Sequence, residues 1–239
     1  MDLKRLGELA IDIEVDANCT DLEGRSPLLL LCLYSQGIDL CPYVEVLLRR
    51  DSVYLDFKDK NGWNALITVC FHYDGPKLLD IVQLLIRHGI GVNETSGYNW
   101  TALYAICSNY NGDVPELLDV VQRLIYEGVV INANATDGTN CLIALCSHHH
   151  GHSDFVATFR MLIKNGVDVS PKNSKGMTAL HILCEKYTGE NLLDVVQMLV
   201  VAKIDKEAKD KNGRKAIDIL NKRDVPSKRE IVHLLLDDD

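Results

Sequence analysis

Four imidazoles fall within five residues in the stretch SHHHGHSD, at His148, His149, His150 and His152. Neutral imidazole nitrogens ligate zinc or copper, and an imidazole that protonates near neutrality can sense pH. A lasting metal centre also needs a carboxylate or thiolate with hydrogen-bonded support behind it, and Asp154 is the near candidate. The same stretch stands where other parts of the chain read FHYDG, SNYNG and EKYTG, with His149 in the place of Tyr73, Tyr110 and Tyr187. Packing of an enlarged turn therefore competes with metal or proton binding, and it is the reading preferred for these histidines.

The eight cysteines raise a second chemistry. Zinc sites gather ligands through short spacings such as C-x-x-C, and no pair here is that close. Five instead stand about 38 residues apart, at Cys32, Cys70, Cys107, Cys146 and Cys184. A thiol at a repeated position is a small, soft packing group, so these are expected to be buried and reduced, with Cys19, Cys41 and Cys141 more exposed. Asp80, Asp119 and Asp194 are likewise one position repeated rather than an acid and base pair. No phosphate-cradling glycine cluster, strand-to-helix nucleophile turn or Ser/His/Asp order emerges. A non-enzyme without cofactors is expected.

Those recurrences point to the elements that carry them. GMTALHILCEKYTG, from residue 176, has a near-copy in GWNALITVCFHYDG, from residue 62. Aligned on the opening position, the copies begin at Gly24, Gly62, Asn99, Gly138, Gly176 and Gly213. Four places on stands an apolar residue: Leu28, Leu66, Leu103, Leu142, Leu180 and Ile217. Ala65, Leu66, Val69 and Cys70 recur at helical spacing. A glycine-marked turn follows, then a second helix that opens near proline in several copies and ends at a glycine, as in RHG, YEG and KNG. Its interior LLDIVQLLI is polar only at Asp80, Gln83 and Arg87, which predicts a helix covered on most sides. A polar stretch such as IGVNETSGYN then suits an extended hairpin. A lone helix pair of this kind cannot bury both apolar flanks, so the copies must stack as a solenoid.

NGWNAL, GMTALHILC, LLIRHGIGVN and LLDVVQMLV together resemble the ankyrin-repeat family, and the resemblance covers nearly the whole chain. GMTALHIL lies closest to the family's Thr-Pro-Leu-His-x-Ala signature. The period of 37 to 39 residues exceeds the family's roughly 33, with most of the excess between the two helices. The resemblance implies an all-α, ankyrin-type helix-turn-helix solenoid with β-hairpin loops between repeats. The expected organisation is a single ankyrin-repeat domain over 1–239. Residues 1–23 form a partial capping unit, repeats occupy 24–61, 62–98, 99–137, 138–175 and 176–212, and 213–239 is a shortened capping repeat. Lys215, Lys222, Arg223, Lys228 and Arg229 would give that last unit a polar outer side.

Net charge is −9, with lysine and arginine spread along the chain. This argues against nucleic acid and anionic lipid as partners. The longest apolar run, PLLLLCLY, is far short of the roughly 20 residues of a membrane span, and the N-terminus lacks the apolar core of a signal peptide. A soluble monomer of the cytoplasm, with the nucleus as alternative, is expected.

Positions that change from copy to copy are free to specify a partner. In ankyrin proteins the loop tips and the inward surface of the first helices form the usual groove, which implies a protein or peptide ligand here. Directly after the anchors stand Arg25, Trp63, Trp100, Thr139, Met177 and Arg214. Both tryptophans thus fall at one variable place in adjacent copies. With Tyr98, Tyr104 and Phe71 they form an expected aromatic patch, joined as partner-binding residues by Arg25, Met177 and His181. Large aromatic rings dominate binding hot spots; the competing role is packing of each indole against its own loop. Two other functions stand beside an interaction module: a metal- or pH-responsive regulator built on His148 to His152, and a structural spacer within a longer protein.

Overall fold

The structure is a computed structural model that describes residues 16–34, 37–50, 53–109, 116–148 and 153–236. Most of the expected opening unit, residues 1–15, lies outside them, as do Tyr110, His149, His150 and His152. The chain divides into two compact units, Met1–Val130 and Ile131–Asp239. Among the described residues, no helix is long and apolar enough to cross a membrane.

Each repeat opens on the same tight loop. In the second, Gly62 N–H donates to Asp59 O at 2.8 Å and Asp59 N–H to Trp63 O at 3.0 Å. Gly62 sits at φ 77°, and a Cβ there would stand 2.7 Å from the Gly97 backbone nitrogen. Glycine alone fits both demands. Asn99 takes the same left-handed conformation at φ 60°, which asparagine tolerates better than most residues. Two places after the anchor an N-cap side chain starts the first helix: Asn64 Oδ1 accepts Ile67 N–H at 2.9 Å, and Thr101 Oγ1 accepts Tyr104 N–H at 3.2 Å. Each cap satisfies a first-turn donor that has no helical partner.

In the first unit the helices are α1 (Pro27–Tyr34), α2 (Cys41–Leu48), α3 (Ala65–His72), α4 (Leu78–Arg87), α5 (Ala102–Ser108) and α6 (Leu117–Tyr126). The first helices α1, α3 and α5 pack in one row, and α2, α4 and α6 in another. Every residue of α5 is buried. In α4 the buried set is Leu78, Ile81, Val82 and Leu85, spaced as one helical face. Leu79, Leu84 and Ile86 remain partly exposed, so the cover reaches less far round the second helix than its apolar sequence suggests.

The second unit repeats the arrangement with α7 (Cys141–His148), α8 (Phe155–Lys164), α9 (Ala179–Lys186), α10 (Leu192–Val201), α11 (Ala216–Leu220) and α12 (Lys228–Leu236). Here α7, α9 and α11 form one row and α8, α10 and α12 the other. Asp80, Asp119 and Asp194 are exposed on the second helices of both units. Among the described residues no β-strand forms; the loops between repeats are held instead by tight turns and by single inter-repeat bonds such as Gly97 N–H to Asn61 O at 2.7 Å.

Polar side chains tie successive repeats together. Asn93 Nδ2 donates to Gly128 O at 3.1 Å and its Oδ1 accepts Val130 N–H at 2.7 Å. Asn132 does the same one repeat on, to Gly166 O at 3.1 Å and from Asp168 N–H at 2.7 Å. In the enlarged turn, buried Tyr73 shares its hydroxyl proton between Ile38 O and Pro76 O, both at 2.7 Å. Tyr187 stacks on Phe155 with ring centroids 5.2 Å apart. Arg223 does not face outward as expected: its guanidinium donates to Cys184 O and Tyr187 O, each at 2.8 Å, and so closes the end of α9.

Candidate functional site

The candidate surface lies on the first unit, where the loops before α3 and α5 meet the exposed end of α3. Trp63 and Trp100 each follow a left-handed anchor residue, and their backbones are held by the loops: Asp59 Oδ1 accepts Trp63 N–H at 2.9 Å, and Ser96 Oγ accepts Trp100 N–H at 3.3 Å. Their indoles project toward α3. Trp63 lies with its ring centroid 5.2 Å from Phe71, 5.5 Å from His72 and 5.6 Å from Trp100. Trp100 reaches Phe71 at 5.3 Å, Tyr104 at 4.9 Å and Tyr98 at 6.3 Å. Each contact falls in the range of attractive aromatic pairs.

Phe71, Trp63 and Trp100 are half-buried, while Tyr98 is 55% exposed. With Asp59 they line a cavity of ≈ 370 Å³. Burial holds His72, on the same wall, below its ordinary pKa and therefore uncharged near neutrality. The rings thus pack against one another and against α3, and each keeps part of its surface exposed.

Not every expected contact residue shares this surface. Tyr104 touches Trp100 but is itself only 8% exposed, so it backs the cluster. Arg25 does line the cavity, but it is half-buried and its guanidinium is committed to Asp21, with Nη2 2.7 Å from Oδ2. Met177 and His181 belong to the second unit and are 2% and 1% exposed, which removes them from the list of surface contacts. Met177 is covered within its own stack. His181 Nδ1 lies 2.8 Å from Thr178 Oγ1 and Nε2 lies 3.0 Å from Arg214 O. A ring donating from Nε2 and accepting at Nδ1 joins its own helix start to the next loop.

His148 ends α7 half-exposed, whereas His149, His150 and His152 lie outside the described residues. Among the described residues no group of three His, Cys, Asp or Glu side chains is arranged to hold a metal. The five periodic cysteines form no disulfide and are buried, and burial pushes the thiols of Cys32 and Cys184 up to about 12. Cys19 is exposed and Cys41 intermediate. Cys141, expected to be more open, is buried with Sγ 3.5 Å from Ile131 O.

Asp59 is the site residue that sequence reading missed. Its signal was present: Asp21 and Asp210 precede Arg25 and Arg214 by four places, as Asp59 precedes Trp63.

Residues 115–210 match the family of ankyrin repeats in three copies. That stretch carries ankyrin repeats. Solved ankyrin structures extend the likeness in fold. The ankyrin repeat protein EF0377 is 19% identical with a TM-score of 0.62, over 81% of this chain and 90% of that one. The ankyrin repeat domain of Bcl-3, described as a unique member of the IkappaB protein family, is 19% identical with a TM-score of 0.63, over 98% of this chain and 93% of that one. At such identity the likeness speaks for the ankyrin fold alone. No curated protein matches the chain in sequence. Ankyrin repeats generally mediate protein–protein interaction, and the aromatic cavity lies on the loop and first-helix side of its unit.

Proposed function

We propose that this ankyrin-repeat chain is a non-catalytic interaction module whose first unit holds a segment of a partner protein, with Trp63 and Trp100 as the anchors. The observation that carries this reading is the aromatic cavity: two half-buried indoles, Phe71 and exposed Tyr98 around a space of ≈ 370 Å³. Removing such rings from water on docking supplies large contact area at small entropic cost. The unit beneath stays rigid because its rows of first and second helices are buried against one another. The lack of disulfides among the described residues suits a reducing compartment, cytoplasm or nucleus. The module acts as a monomer.

The test is affinity capture with wild type and with the double variant Trp63→Ala, Trp100→Ala, each carrying a photo-crosslinker at Asn61, an exposed residue on the cavity's rim. Loss of the crosslinked partner with an unchanged far-ultraviolet spectrum is the expected result. Equal crosslinking by both proteins would overturn the assignment.

A further inference from the structure

Two loops of this chain hold an arginine in one and the same way. In the loop before α1, Arg25 Nε and Nη2 stand 2.8 and 2.7 Å from Asp21 Oδ2, while Asp21 Oδ1 accepts the N–H groups of Glu23 and Arg25, both at 2.9 Å. In the loop before α11, Arg214 Nε and Nη2 stand 2.8 and 2.7 Å from Asp210 Oδ2, and Oδ1 accepts Asn212 N–H at 2.8 Å and Arg214 N–H at 2.9 Å. The loop before α3 has the same backbone: Asp59 Oδ1 accepts Asn61 N–H at 2.8 Å and Trp63 N–H at 2.9 Å. Four places after this aspartate, however, stands Trp63. Asp59 Oδ2 therefore has no partner among the described residues.

Asp59 lines the aromatic cavity with Trp63 and Trp100. The other charges around it are matched. Arg25 is paired with Asp21 at 2.7 Å, Lys60 with Glu23 at 3.3 Å and Lys58 with Glu94 at 2.7 Å. His72 is kept neutral by burial. The cavity thus combines indole faces with one unmatched carboxylate oxygen. Guanidinium suits that combination: it is planar, weakly hydrated, stacks on indole and donates a fork of N–H groups to carboxylate. The lysine ammonium is compact and strongly hydrated, so it loses more on entering. A net charge of −9 favours a basic segment at long range.

We propose that the cavity takes an arginine side chain of the protein partner, whose guanidinium pairs with Asp59 Oδ2 and lies against Trp63 and Trp100. The partner supplies from outside what Arg25 and Arg214 supply within their own loops. This rests on the aromatic-anchor reading above and adds the chemistry of the residue that is anchored.

The protein's two tryptophans both line this cavity, so their indole N–H signals in a ¹⁵N-labelled sample report on it alone. The probe is the capped tripeptide Gly-Arg-Gly, with lysine and citrulline in the arginine place as controls. Saturable shifts of both signals are expected with the arginine peptide, with affinity lower by about tenfold for citrulline, which keeps the shape but not the charge. Asp59→Asn, which retains the Oδ1 bonds of the loop, should abolish the response. Trp63→Arg should restore the pairing of the other two loops, keep the wild-type far-ultraviolet spectrum and leave the Trp100 signal unmoved by peptide. Absence of saturable shifts, or equal affinity for lysine, overturns the proposal. Shifts of equal size with citrulline that survive Asp59→Asn also overturn it, yet leave the aromatic anchor standing, because that reading is decided separately by the crosslinking comparison.

Discussion

Trp63 and Trp100 lie with ring centroids 5.6 Å apart at an interplanar angle of 55°, although they belong to different repeats. The contact arises because each indole follows a left-handed anchor residue, and stacking sets equivalent positions of neighbouring repeats side by side. It couples the two loops energetically as well as spatially, since Phe71 stands within 5.3 Å of both rings.

A double-mutant cycle on Trp63→Ala and Trp100→Ala should therefore return a coupling of about 0.5–1.5 kcal/mol, the range of aromatic pairs beyond their area burial. Urea unfolding of the four proteins measures it. Strict additivity of the two single changes would mean that the rings do not support each other in solution.

Stability should fall in mild acid through His72. Burial holds its folded pKa below the ordinary value, so the unfolded chain binds the proton more readily than the folded one. Stability is thus at its full value above about pH 6.5 and declines as pH drops from there toward the folded pKa, below which this contribution levels off. The urea midpoint followed from pH 7.5 to 5.5 should decline, and His72→Gln should make the decline shallower. An identical profile in the variant would remove His72 as its source.

The asparagine clamp should be worth more than its surface position suggests. Asn132→Ala removes both the Gly166 and the Asp168 hydrogen bond, for an expected loss of about 1–2 kcal/mol. Asn132→Asp keeps the acceptor for Asp168 N–H and loses only the donor, so its cost in chemical denaturation should be smaller. A harmless alanine would show that water replaces the clamp without penalty.

Thiol reactivity should sort the cysteines by burial. Exposed Cys19 should react first with Ellman's reagent and Cys41, raised to about 11 chiefly by burial, more slowly. Cys32, Cys70, Cys146 and Cys184 are buried and their thiols are pushed up by desolvation, so too little thiolate is present to react. Mass spectrometry after a timed pulse should find these four labelled only once the chain unfolds.

Most of the architecture was legible in the residues themselves. Glycine or asparagine at each anchor, apolar residues at helical spacing and the periodic cysteines dictate a helix pair whose flanks stay wet unless neighbours cover them, and a stack follows. The exposed aspartates were readable too, because they recur on the polar side of the second helices, where all three face water. Cap residues such as Asn64 and Thr101 were equally local, two places after each anchor.

What the sequence by itself could not decide was the fate of the variable positions, because their burial depends on what the adjacent repeat brings. Met177 and Trp63 occupy one place in the repeat, yet Met177 is covered while Trp63 opens on a cavity. His181 varies from copy to copy like a binding residue, but its ring is consumed between Thr178 and the carbonyl of Arg214 in the next loop. Arg223 turns inward onto the last carbonyls of α9. Periodicity records which face of a helix is apolar, a property of consecutive residues. Whether a given side chain meets water or a neighbour is a property of residues almost forty apart, and only their packing in three dimensions settles it.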